Sequence, residues 1–331
     1  MFGQIKVEVR PHSMVNKEFL AERNGPCVAG SSRMNALPTG MKSHPFKDHG
    51  PDVILYPLEL RTQQMAALQK AVTYQHGSVL IVGESGTGKS LLARHLASAI
   101  APEKAIAQVS NSHLPDLAAL FQAILFDLDL PYQLPSEQLL RLAVTEANMQ
   151  RATQGGLVLF IDDAHHLQNN QLEELWLLGN LMGPKGQLFT VVLAGQLDLL
   201  RRMRQAELCS FAQSMVCTVQ LTVWTEETVK EYLHHELRQA GLAPRALLDD
   251  EATSKLTELS HGTPRFVQRL AEHALHLAME VNQNRMDVET ILLAAEALGL
   301  SENETDELTE ESPSLPMDVG PNESTLIKRS A

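Results

Sequence analysis

The chain has 331 residues, 44% of them hydrophobic and 20% charged, which suits a folded protein of about two domains rather than a disordered one. Its formal net charge of -13 opposes broad attraction to nucleic-acid phosphates or anionic lipid, and at 5% aromatic residues abundant base-stacking platforms are not expected. Three cysteines, Cys27, Cys209 and Cys217, stand at no metal-ligand spacing and are odd in number, so reduced thiols are expected.

Residues 1–50 are rich in Gly, Pro, Ser, Asn and Lys without a sustained period and are expected to form a poorly ordered leader. Their start has no apolar core of a secretory signal, and no stretch of the chain approaches the roughly 18 apolar residues of a membrane span. A cytoplasmic protein without direct membrane insertion is expected.

In residues 51–224, short apolar runs alternate with helical patterns. "SVLIVG", "AIAQVS", "LVLFIDD", "FTVVLAG" and "VCTVQL" are too short for helices and suit buried strands of a parallel sheet. "RTQQMAALQKAV", "SLLARHLASAI", "LPDLAALFQAILFDL", "SEQLLRLAVTEANMQ" and "NQLEELWLLGNLM" repeat apolar residues at three- and four-residue spacing, as half-buried helices do. This is an α/β core of about five strands. Residues 225–300 lose the strand signal and read as a separate all-α unit of four helices, with Thr or Asp at their starts and Gly near their ends. Residues 301–331 open with an acidic run, "SENETDELTEESPS", and are expected to be disordered.

Between the first strand and its helix lies "GESGTGKS", matching G-x-x-x-x-G-K-[ST] in the strand-then-helix context that makes the match credible. Gly83, Glu84, Ser85, Gly86, Thr87, Gly88, Lys89, Ser90 and Leu91 are the expected nucleotide-binding residues. Backbone N–H groups and the positive end of the helix face the phosphates, and Lys89 reaches the β- and γ-phosphates. Ser90 is an expected Mg²⁺ ligand, and Asp162, at the end of "LVLFIDD", holds the ion through water. Asp163 falls where many ATPases carry a glutamate that polarises the attacking water. It is one methylene shorter, and a misplacement of ~1 Å can cost about two decades in rate. ATP and Mg²⁺ are the expected cofactors. His165 and His166 are adjacent and lack a partner at helical metal-ligand spacing, so a polar helix-start role is expected.

The combination of "GESGTGKS", "LVLFIDDAHHL", "FTVVLAGQLDLL" and "LSHGTPRFVQRLAEHAL" resembles the AAA+ ATPases of the ExeA/GspA type, associated with general secretion, and related transposition ATPases. The resemblance covers about residues 55–298 and implies a P-loop AAA+ core followed by a helical lid. It implies that Gln196 is the polar sensor that helps orient water near the γ-phosphate. It further implies that Arg265, in "GTPR", is the arginine the lid carries onto the nucleotide, a role for which a planar guanidinium is suited. The family's cross-subunit arginine, usual just before the last strand, is missing: Ser214 stands near that place. Arg201, Arg202 or Arg204 could substitute, and an exposed helix face explains them equally well.

The reading is an ATP-hydrolysing protein that remodels or regulates a partner assembly of secretion or envelope type. Its partner would be another protein, a separate membrane or secretion component among the candidates, and homo-oligomerisation is a family expectation. The first alternative is a slow or non-hydrolysing nucleotide switch that recruits a partner. The second is a transposition-type DNA-associated ATPase, which the acidic charge disfavours.

Overall fold

The computed structural model describes residues 41–46 and 59–300, apart from 76, 111, 152–155, 184, 185, 188, 282 and 284. The leader up to residue 40 and the tail 301–331 lie outside the described residues.

The strands of the main sheet are β1 (Ser78–Gly83), β2 (Ala105–Val109), β3 (Leu157–Ile161), β4 (Phe189–Gly195) and β5 (Met215–Leu221), and the short segments Met182–Gly183 and Gly186–Gln187 form a separate antiparallel pair. The main sheet has the order β2-β3-β4-β1-β5, with every pairing parallel. Around it run α1 (Glu59–Lys70), α2 (Lys89–Ile100), α3 (Leu117–Asp127), α4 (Glu137–Arg151), α5 (Asn169–Gly179), α6 (Leu197–Met203) and α7 (Cys209–Gln213). Every residue of β1, β3 and β4 is buried, because helices cover both faces of the sheet. Side chains alternate across each strand. Leu80, Val82, Leu159 and Leu193 join Leu120, Phe121, Leu140 and Leu172 in one core layer. Val79, Ile81, Val158 and Val192 join Leu68, Leu92 and Leu96 in the other.

This order and register place the site. Val82 pairs with Gly195, and Ile161 with Leu193, so β1, β3 and β4 finish at one edge. The residues that follow them, from Glu84, Asp162 and Gln196 onward, therefore emerge side by side where parallel α/β sheets bind ligands.

The C-terminal region is helical: α8 (Glu226–Gln239), α9 (Pro244–Leu247), α10 (Asp250–Ser260), α11 (Pro264–Glu280) and α12 (Val288–Ala297). Thr225, Asp249 and Asp287 accept hydrogen bonds from the backbone N–H groups of Thr228, Ala252 and Thr290, so three of the expected caps form. Thr263 makes no such side-chain bond; Pro264 at the first position already removes one of the donors that a cap would satisfy. The short α9 is an addition to the four helices read from the sequence, since a single turn contains too few residues to display a period.

Residues 41–46 belong to the stretch expected to be poorly ordered, yet Met41 and Phe46 are buried in the helical core with Leu233, Leu256 and Leu270. Lys42 N–H donates to the Ala240 carbonyl at 2.8 Å, and the Gln268 amide donates to the Phe46 carbonyl at 3.1 Å. Composition averaged over Gly, Pro and Ser hides two isolated apolar anchors of this kind.

Candidate functional site

The loop between β1 and α2 turns on two glycines with positive φ, Gly86 at 80° and Gly88 at 94°. Its carbonyl at Glu84 accepts from Thr87 Oγ1 at 2.8 Å and from Lys89 Nζ at 2.7 Å. Thr87 is fully buried and Lys89 is 6% exposed, so these two residues anchor the loop in the core, while Glu84 and Ser85 are exposed. α2 opens at Gly88 without a side-chain cap and without an acidic residue in its first turn. First-turn N–H groups have no partner within a helix, and here Lys89, Ser90 and Leu91 carry them. Ser90 and Leu91 are half-buried. The donor set of uncapped amides, hydroxyl and ammonium fits a phosphate chain with its metal ion.

Burial lowers the Lys89 ammonium from its ordinary pKa. Asp163, Asp162 and Glu84 oppose that shift, while Arg265 adds to it. The lysine thus feels both aspartates and Arg265, which topology has gathered from the end of β3 and the start of α11. Asp162 N–H donates to the Val109 carbonyl at 3.0 Å, and Asp162 Oδ1 accepts from Asp163 N–H at 3.0 Å. The buried Ser112 hydroxyl lies 2.8 Å and 2.6 Å from the carbonyls of Asp162 and Asp163, holding both backbones from the end of β2.

Asp163 has φ 50°, a left-handed conformation that Asp adopts more readily than a longer side chain. Its side chain is 55% exposed, with Oδ1 3.9 Å from His165 Nδ1. His165 and His166 lie in the single 3₁₀ turn Ala164–His166. His166 stacks on His113 at 3.8 Å and lies tilted against His165 at 3.9 Å between ring centroids. Burial and then His166 lower the His165 pKa, so the neutral ring is favoured beside Asp163.

Gln196 follows β4 directly, is exposed, and starts α6 without capping it through its side chain. Arg265 is exposed in the first turn of α11, and its N–H donates to the Gly86 carbonyl at 3.2 Å. A Cβ on Gly86 would come within 2.8 Å of Thr263 Cγ2 and 3.2 Å of Arg265 Cβ. The start of α11 therefore meets the loop directly, through a backbone hydrogen bond.

The two arginines of α6 and Arg204 at its C-cap differ in their surroundings. Arg202 donates to the carbonyls of His165 at 2.8 Å and Leu167 at 2.7 Å and to Asn169 Oδ1 at 2.8 Å, which commits it within the chain. Arg201 and Arg204 are exposed. Ser214 closes α7, its hydroxyl donating to the Phe211 carbonyl at 2.7 Å.

Sequence reasoning missed the contribution of α1. Arg61 Nη2 donates to the Thr87 carbonyl at 2.7 Å, bracing the loop from outside. Arg61 also lines a cleft of about 520 Å³ with Gln64, Leu221, Trp224, Thr228 and Glu231, among others. No motif announces this arginine; only its place on a helix that packs beside the loop does. Trp224 lies between β5 and α8, its N–H donating to the Gly262 carbonyl at 2.8 Å. Among the described residues, no helix is long and apolar enough to cross a membrane.

A family model described as an AAA domain matches residues 72–203. General secretion pathway protein A of Aeromonas hydrophila is 30% identical over 258 residues, covering 77% of this chain and 47% of that protein. The chain thus spans about half the length of the curated relative it matches. Among solved structures, the ORC2 protein of Aeropyrum pernix in its ADPNP–ADP complexes is similar with a TM-score of 0.59 at 14% identity, covering 77% of this chain and 72% of that one. Cdc6p from Pyrobaculum aerophilum gives 0.59 at 17% identity, covering 76% and 70%. The Thermotoga maritima RuvB Holliday junction branch migration motor gives 0.50 at 22%, covering 76% and 74%. At such identities these structures establish the fold alone.

Proposed function

We propose, from the premise that this chain carries an AAA+ ATPase domain related to general secretion pathway protein A, that it binds ATP with Mg²⁺ in the Gly83–Leu91 loop and hydrolyses it to drive or regulate a partner assembly. The observation that carries this reading is the Gly86–Arg265 backbone bond, which joins the phosphate-binding loop to the lid. A change at the γ-phosphate then has a direct route to the position of a whole helical unit. The secretion relative supports a protein partner of secretion or envelope type, and cytoplasmic placement accompanies that proposal.

In this reading the first-turn amides of α2 and Lys89 bind the phosphates, Ser90 and Asp162 hold the metal ion, and Gln196 and Asp163 orient water. Mg²⁺, when bound, neutralises charge on the phosphate oxygens. Ser112 acts through Asp162 and Asp163 by holding their backbones. Arg265 contributes a charged fork whose strength depends on lid position. Arg265→Ala should leave ATP affinity within about tenfold and lower turnover by about 10²-fold, the size expected for losing one charge-stabilising donor. Parallel binding and steady-state measurements check this; equal losses in both would assign Arg265 to ground-state binding instead.

A second reading, a nucleotide switch with little turnover, is favoured by Asp163's exposed, left-handed position and by Ser214 at the expected arginine's place. Steady-state hydrolysis over a wide range of protein concentration separates the two. A specific rate that climbs with concentration supports subunits completing each other's sites, with Arg201 or Arg204 as the exposed candidates. A flat rate at background, alongside ATP binding, supports the switch.

A further inference from the structure

Asp163 is held firmly by its backbone and loosely by its side chain. Its N–H donates to the Asp162 carboxylate, and its carbonyl accepts from the Ser112 hydroxyl at 2.6 Å and from the His166 N–H at 3.0 Å. Its carboxylate is 55% exposed, and Oδ1 stands 3.9 Å from His165 Nδ1, beyond hydrogen-bond length. An exposed carboxylate visits several rotamers, and a water that it has to aim is misplaced in most of them.

His165 is the opposite case. Its side chain is 11% exposed, and Nδ1 is buried without a hydrogen-bond partner among the described residues. The ring lies against His166, which stacks in turn on His113. The backbone beneath it is fixed as well: Arg202 donates to its carbonyl at 2.8 Å, and β4 ends so close that a Cβ on Gly195 would lie 3.2 Å from its nitrogen. A buried ring nitrogen left unpaired is costly, and this one faces a side chain that is free to turn toward it.

The two atoms are complementary. The charges that reach the ring are those of His166, Asp163, Lys89 and Asp198, and burial favours its neutral form. A neutral imidazole carries one proton, and a carboxylate beside Nδ1 draws it to that nitrogen, since lone pairs would otherwise face each other. Shortening 3.9 Å to a hydrogen bond of about 2.8 Å asks for ~1 Å of carboxylate movement, the way catalytic contacts tighten once substrate is bound.

We propose that His165 is a positioning residue for Asp163: with nucleotide bound, its Nδ1–H donates to Asp163 Oδ1 and locks the carboxylate in the rotamer that orients the attacking water. This rests on the hydrolytic reading above and adds to it what fixes the water-orienting group.

The test uses the full chain with ATP and Mg²⁺, and Lys89→Ala as the blank. His165→Phe keeps a ring to lie against His166 but has no donor; it should lower kcat by about tenfold or more with KM within about twofold. His165→Asn restores an N–H near the place of Nδ1 and should return kcat to within about threefold of the unmodified chain. A readout independent of turnover is NMR of protein labelled with ¹⁵N-histidine and bound to a non-hydrolysable ATP analogue. A slowly exchanging His165 Nδ1–H should appear in the unmodified chain and vanish in Asp163→Ala. Unchanged kcat in His165→Phe, or His165→Asn no better than His165→Phe, would overturn the pairing. Unmodified turnover no higher than that of Lys89→Ala would overturn the hydrolytic reading, and the NMR signal then decides the pairing alone: its absence, or its persistence in Asp163→Ala, overturns it. Because the NMR comparison replaces an exposed side chain only, a His165 variant that fails to fold does not remove the test.

Discussion

Lys89→Ala is expected to bring ATP turnover to background, a loss of at least about 10²–10³-fold, and to weaken ATP binding by about tenfold to a hundredfold. The side chain is the ammonium nearest the loop, buried to 6% exposure, with one proton engaged by the Glu84 carbonyl. An ammonium has three donors, so that contact leaves two for phosphate. Its environment contains two aspartates, which a neutral alanine leaves facing phosphate without the intervening positive charge. The loss should therefore exceed that of one hydrogen bond, because like charges are then opposed at close range. Thermal melting of the variant provides the necessary control, since the Glu84 carbonyl loses a partner but retains the Thr87 hydroxyl. Turnover and ATP affinity equal to those of the unmodified chain would show that the loop is not the site.

The second large effect is expected at the joint between sheet and lid. Gly262 has φ 63°, and a Cβ there would lie 2.1 Å from the Trp224 carbonyl oxygen. Two independent terms act on Gly262→Ala. The left-handed backbone costs an L-residue about 1–2 kcal/mol, and relieving the overlap pulls the linker away from the Trp224–Gly262 hydrogen bond, worth roughly 1 kcal/mol. A loss of about 2–3 kcal/mol is expected, seen as a lower urea midpoint at unchanged slope. The bond belongs to the same stretch that delivers Thr263 and Arg265 to Gly86, so turnover should fall more than ATP affinity does. Stability within about 0.5 kcal/mol of the unmodified chain would show that the linker moves aside freely, and the lid would then lack the stiff attachment argued for it.

Much of this molecule was legible from residue order. The apolar runs over β1, β3 and β4 are continuous because those strands are buried on both faces, and Thr225, Asp249 and Asp287 announce three helix starts because their short oxygens satisfy nearby N–H groups. Phosphate loops are equally local: Gly86, Gly88 and Lys89 act within one turn, so their spacing carries their geometry. Met41 and Phe46 escaped notice because their partners lie about two hundred positions away, and burial of an isolated side chain leaves no period.

By itself the sequence determined the class of the fold, the phosphate loop and the aspartate-ended strand, all of which depend on neighbours in the chain. Tertiary structure alone decided which arginines are occupied. Arg202 is spent on the carbonyls after Asp163, Arg61 braces Thr87, and Arg265 is delivered to Gly86 by its own backbone. A guanidinium reaches several ångströms and pairs with any carbonyl or carboxylate it meets, so its role is set by what folding brings near it and not by the residues on either side.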